Sequence, residues 1–80
     1  MRLKILLPFR IFADTNSVLR VVAGTTDGSI GLLPNRLDCA ATLVPGILEY
    51  ETEAGGVAYV ALDEGVLVKT GQDVLISVRR

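Results

Sequence analysis

Apolar and polar residues alternate along most of this chain with the two-residue period of a half-buried strand. Arg2 to Leu7 places Leu3, Ile5 and Leu7 on one face and Arg2, Lys4 and Leu6 on the other. Pro8 withholds a ladder donor and ends that strand. Phe9 to Ala13 reads as a second strand, with Phe9 and Ile11 opposed to Arg10 and Phe12, and Asp14-Thr15-Asn16-Ser17 reads as a turn built on local side-chain bonds. Val18 to Ala23 is rich in β-branched residues and predicts a third strand, with Arg20 on the face of Val18 and Val22. Asp27-Gly28 is a tight-hairpin pair, from which Ser29 to Leu33 returns antiparallel.

The polar stretch Asn35 to Asp38 follows Pro34 and reads as a surface loop. Cys39 to Val44 fits either a strand or a helical turn, and Pro45-Gly46 is a turn pair. Ile47 to Glu53 alternates strictly, with Ile47, Glu49, Glu51 and Glu53 opposite Leu48, Tyr50 and Thr52. Further strands are expected at Val57 to Leu62, Val66 to Thr70 and Val74 to Arg79, separated by Gly-bearing turns. Short strands at this spacing predict an all-β fold, a small antiparallel β-sandwich or barrel of roughly eight to ten strands. The 80 residues are read as one domain.

Half of the residues are hydrophobic, mostly aliphatic, so apolar surface is left over to meet a protein partner. Eight basic and nine acidic residues are dispersed, and no footprint for nucleic acid or anionic lipid is visible. No apolar run approaches the ~18 residues of a membrane span, so membrane association is expected only through partner subunits. The single cysteine, Cys39, and the lack of a secretory signal fit a reducing compartment.

The chain has no histidine, which removes His-based acid–base catalysis, Ser-His-Asp triads and His-ligated metals. Gly28 to Gly31 superficially resembles a phosphate loop but continues into Leu32-Leu33-Pro34 instead of Gly-Lys-Ser/Thr and a helix. Glu49, Glu51 and Glu53 lie about 6.8 Å apart at successive same-face positions, too far for one cation, and are expected to form a solvated acidic face. Cys39 is flanked by Ala40 and Ala41 and reads as a small buried hydrophobe. No catalytic, cofactor-binding or metal-binding residue is therefore expected. The stretch Val68-Lys69-Thr70-Gly71-Gln72-Asp73-Val74 is similar to the lysine region of biotinyl and lipoyl carrier domains, which makes a carrier module modified at Lys69 the alternative reading.

The stretch Gly28-Ser29-Ile30-Gly31-Leu32-Leu33-Pro34 follows a Gly-x-x-Gly-hydrophobic-x-Pro pattern. Together with Thr42-Leu43-Val44-Pro45-Gly46, Tyr59-Val60-Ala61 and Gly65-Val66-Leu67-Val68, it resembles the N-terminal domain of the epsilon subunit of rotary F-type ATP synthases. The resemblance runs from Leu3 to Val78. Asn35-Arg36 replaces the family's usual Gly-His, Asp38-Cys39 its Pro-Leu, and Asp63-Glu64-Gly65 its late Ser/Gly-Gly. These departures are similar to those of a divergent branch such as the alternative, often sodium-linked, synthases.

The resemblance implies a non-catalytic central-stalk subunit, with no cofactor, that joins the gamma subunit to the c-subunit ring. Such a subunit couples proton or sodium translocation to ATP synthesis or hydrolysis, peripherally at the cytoplasmic face of a bacterial plasma membrane. Carried over by position, the ring-facing candidates are Asp27, Gly28, Ser29, Asn35 and Arg36. The gamma-facing candidates are Cys39, Ala41 and Thr42. The family's C-terminal helical hairpin has no counterpart in these 80 residues, so coupling without restraint of hydrolysis is expected.

Overall fold

Strand-forming segments that are apolar on one side only must pair edge to edge and then bury that side, and the chain does both. The computed structural model describes residues 1–79 and contains nine strands among them: β1 Arg2–Leu7, β2 Arg10–Thr15, β3 Val18–Thr25, β4 Gly28–Leu32, β5 Cys39–Leu43, β6 Gly46–Thr52, β7 Gly56–Leu62, β8 Gly65–Thr70 and β9 Asp73–Val78. They hydrogen-bond in the order β2-β1-β9-β8-β5-β3-β6-β7, with β4 on the other side of β3. β5 and β3 join only where Thr25 meets Leu43. At that corner the sheet folds over, so that β2-β1-β9-β8-β5 forms one layer and β4-β3-β6-β7 the other. All pairings are antiparallel except β1 with β9, which run parallel from Arg2–Asp73 to Leu6–Ser77.

The inner faces of the two layers supply the core. Leu3, Ile5, Val21, Leu67 and Ile76 are wholly buried, with Val18, Ala23, Leu32, Leu43, Leu48, Val74 and Val78 around them. Every member of this cluster is aliphatic, while Phe9, Phe12 and Tyr59 are exposed. At about 25 cal/mol per Å² of apolar surface removed from water, this cluster is the principal favourable term. Main-chain bonds between Met1 and Val18, 2.8 and 3.0 Å long, tie β1 of one layer to β3 of the other.

Two bulges change the expected facing of side chains. In β3 the register shifts between Val18 and Arg20, so Val18 and Val21 both point inward and Arg20 outward with Val22. Arg20 then binds Glu49 and Glu51 across the β3–β6 ladder. The hydrogen bonds that Arg20 donates, to Glu49 first and Glu51 second, raise its pKa above the ordinary value. The acidic row expected to be merely solvated is thus ion-paired at two of its three positions with one cross-strand arginine. In β1–β2 the register slips at Phe12, and Ile11 lies outward beside Leu6.

The second strand also starts and ends later than expected. Asp14 and Thr15 belong to β2, leaving Asn16-Ser17 as the turn with Ser17 at φ 58°. Asp14 is held by two bonds from Arg2, 2.8 and 2.7 Å long. Phe9 occupies the β1–β2 turn with its side chain fully exposed. Cys39–Leu43 is a strand and not a helical turn. The nearly uncharged β7 is an edge strand, with Tyr59 67% exposed, and not a buried one.

Gly65 sits where β8 meets β9 so closely that a Cβ would lie 2.3 Å from the Ser77 carbonyl oxygen. Main chain cannot swing aside as a side chain can, so Gly65→Ala should destabilise the domain by about 1–3 kcal/mol, measured by urea denaturation. A second expectation follows from Asp14, whose pKa the Arg2 hydrogen bond lowers below 3.8. A depressed carboxylate pKa stabilises the fold above the unfolded value and loses that contribution as pH falls through the folded value. Asp14→Asn should therefore be slightly less stable than the parent at pH 7 and indistinguishable from it once pH lies well below 3.8, as followed by thermal melts.

Candidate functional site

The candidate residues fall on β4, its two flanking connections and β5. At one end, Thr26-Asp27 forms the β3–β4 turn. The Thr25 hydroxyl donates to the Gly28 carbonyl at 2.6 Å and accepts from the Asp27 amide at 3.2 Å. Gly28 takes φ 109°, a conformation L-residues rarely adopt, which fixes the hairpin tip. Asp27, Gly28 and Ser29 are all exposed there.

Asn35 and Arg36 lie at the opposite end of β4. The five residues of β4 carry the main chain about 13 Å between the two connections. Pro34 occupies the second position of a β-turn closed by the Arg36 amide on the Leu33 carbonyl at 3.0 Å. The Arg36 guanidinium reaches the Gly31 carbonyl at 3.4 Å. Leu37 stands 86% exposed beside it.

Below this loop lies Lys69, 1% exposed on the inward face of β8. Its Nζ donates to the carbonyls of Arg36 and Gly71, both at 2.7 Å, and of Pro34 at 3.4 Å. An ammonium has three donors, and here each has a carbonyl. Gln72 donates to the Pro34 carbonyl at 3.1 Å, and Asp38 accepts from the Gly71 amide at 2.7 Å. This arrangement corrects the carrier alternative, because a lysine to be modified must project from a hairpin tip. Lys69 is enclosed, all three of its protons are engaged, and its position allows no access to a modifying enzyme.

On β5 the gamma-facing candidates also divide. Cys39, Ala41 and Leu43 pair with Lys69, Leu67 and Gly65 and turn inward, Cys39 being half-buried against the core. Thr42 and its neighbour Ala40 turn outward. They continue into an apolar surface on the outside of the five-stranded layer, where cross-strand pairing aligns Ala40, Val68 and Leu75 with Lys4 and Asp14 in one row and Thr42, Val66, Ser77, Leu6 and Ile11 in the next. Val66, Val68, Leu75 and Ile11 are exposed. Their alternation with buried residues was the available signal, since Leu67, Val74 and Ile76 fill the inner positions and leave these outside with no polar character.

The concavities are shallow. A depression of about 330 Å³ lies among Leu7, Pro8, Phe9, Arg10 and Arg79, and another of about 280 Å³ among Arg2, Lys4, Asp73, Val74 and Leu75. Among the described residues no three acidic or cysteine side chains are grouped to hold a metal ion. Among the described residues the geometry offers faces and loop ends for protein contact.

The model of the ATP synthase delta/epsilon chain β-sandwich domain matches residues 1–80. The chain belongs to this family. Solved structures similar to this delta/epsilon domain include a chain of the Tetrahymena thermophila mitochondrial ATP synthase central stalk and c-ring, with TM-score 0.79 and 18% identity over 99% of this chain and 63% of that one. A chain of the Euglena gracilis mitochondrial ATP synthase, in an assembly that includes the c-ring, gives TM-score 0.89 and 23% identity over 98% of this chain and 49% of that one. The delta/epsilon domain thus spans about half to two thirds of those chains, and the likeness at this identity is one of fold. No curated protein matches it.

Lys69→Met would leave the Arg36 and Gly71 carbonyls without the ammonium and should cost about 2 kcal/mol. The loss should appear as a lower urea midpoint with an unchanged slope.

Proposed function

We propose that this domain is a non-catalytic rotor element of an F-type ATP synthase, held between the gamma subunit and the c-ring and turning with them. In this role it couples ion translocation to ATP synthesis or hydrolysis and reaches the membrane surface only through its partners. The apolar outer face of the five-stranded layer carries the proposal. A solvated sheet face is normally polar, and a face of Val66, Val68, Leu75, Leu6 and Ile11 bordered by Ala40 and Thr42 gains stability when a partner covers it. Family membership and the stalk and c-ring assemblies that contain the similar folds support the same reading. A location at the cytoplasmic face of a bacterial membrane is part of the proposal, the two solved assemblies named above being mitochondrial.

The apolar face is assigned to gamma, with an interface of about 1,200 Å² or more in total. Thr42 stays a gamma-facing residue, while Cys39 and Ala41 support the surface from behind. The domain measures 27 × 25 × 19 Å. Asp27, Gly28, Ser29, Asn35 and Arg36 remain the c-ring-facing candidates of this proposal.

Co-expression with gamma followed by pull-down tests the assignment. Val68→Asp should weaken capture by about tenfold or more, because it buries an unpaired charge, whereas Tyr59→Ser on the outer face of the other layer should leave capture unchanged. Equal capture of Val68→Asp and the parent would sink the assignment of this face.

A further inference from the structure

The charged group that this role leaves unused is the Lys69 ammonium. A lysine is rarely enclosed without a carboxylate partner, and its charge is tolerated in an interior only when its hydrogen bonds are complete. The three oxygens around Nζ come from three main-chain carbonyls, two in the Pro34–Asp38 loop and one in the β8–β9 turn. A single cation thereby joins the β8–β9 turn to loop carbonyls that lie 33 and 35 residues before Lys69 in sequence. The Asp38 carboxylate on the Gly71 amide and the Gln72 amide on the Pro34 carbonyl join the same two segments a second and third time.

We propose that Lys69 is the positioning residue of the Pro34–Asp38 loop, fixing its main chain from below so that Arg36 and Leu37 are presented outward, ready-formed, to an apolar protein surface that carries a carboxylate. The inference rests on the rotor reading for the identity of the partner, but the fixing of the loop does not. The Pro34 and Arg36 carbonyls of the loop are engaged by Nζ and Gln72. Leu33 and Leu37, close to Arg36 in sequence, are exposed. The matching surface is therefore apolar around one acidic group. Pre-ordering lowers the entropy lost on docking, because the segment no longer has to be immobilised by the partner. Loop and latch act as one unit, with Lys69 touching no partner itself.

The test begins with the free parent domain. A protected Lys69 ammonium resonance, with through-bond coupling from Nζ to the Arg36 and Gly71 carbonyl carbons, is expected, and a rapidly exchanging ammonium would overturn the latch. In Lys69→Met, the amides of Arg36 and Gly71 should exchange at least tenfold faster relative to those of Leu3 and Val21 in the core. Uniform acceleration would show ordinary destabilisation and overturn the proposal. Lys69→Gln, which keeps donors on a shorter arm, replaces the Met variant if that one does not fold.

Binding to gamma and to detergent-solubilised c-ring is then compared for the parent, Arg36→Glu, Asp27→Lys and Lys69→Met. Lys69→Met should lose about tenfold in affinity for the partner that Arg36→Glu fails to bind, and none for the other. Unchanged affinity of Lys69→Met would overturn the presentation of the loop. Binding of neither partner by the parent would overturn the rotor reading and the partner assignment, while ammonium protection and amide exchange decide the latch in the same samples.

Discussion

The two layers share one thin core, and everything else follows from how little volume it offers. Facing sheets pack about 10 Å apart, so each inward side chain must reach the midplane without crossing it. Leu3, Ile5, Val21, Leu48, Leu67 and Ile76 do so. A ring of phenylalanine or tyrosine fits less readily between them, and the aromatic side chains stand at turns, at edges or half-buried at the margin. The bulge in β3 serves the same constraint, because it shifts the strand by one residue and so keeps both Val18 and Val21 in the interior, whereas the one in β2 turns Ile11 outward. Their cost is a local break in the ladder, and in β3 the shift also frees Arg20 to join two glutamates across the strands.

Once the interior is filled by aliphatic residues, the hydrophobic surplus of the chain has to lie outside. It is not spread evenly. The outer face of the four-stranded layer sets the Arg20, Glu49 and Glu51 network beside exposed Ile47, Val57 and Tyr59, whereas the outer face of the five-stranded layer gathers Ala40, Val66, Val68 and Leu75 and sets Arg2, Lys4 and Asp14 beyond them. The second arrangement gives that layer an apolar strip bordered by charge, a surface suited to contact. The ends are differentiated too, one by a glycine-shaped hairpin tip and the other by a proline turn seated on a buried cation.

The fold was legible because its signals are local. Asp27-Gly28, Gly55-Gly56 and Gly71 mark reversals through residues that accept positive φ, and two-residue alternation marks the strands between them. Pairings remote in sequence were not legible. Nothing in Arg2 to Leu7 announces that it lies parallel to Asp73–Val78, and nothing in Val57 to Leu62 distinguishes an edge strand from a central one. At the candidate site the turn residues could be read, but a one-residue alternation separates Thr42, which faces out, from Cys39 and Ala41, which do not. Lys69 was the least legible of all. A lysine in an alternating strand has the same letter code whether it faces water or a cage of carbonyls, and only the return of the Pro34–Asp38 loop over β8 decides.

The parallel pairing of β1 with β9 has a mechanical meaning. These two strands lie side by side with the same direction, so tension drawing the start of β1 away from the finish of β9 runs along the ladder and not across it. The rungs between them are then loaded together in shear. Antiparallel hairpin strands pulled apart at their open end yield one rung at a time. A layer joined through such a seam resists that tension as a unit and not rung by rung.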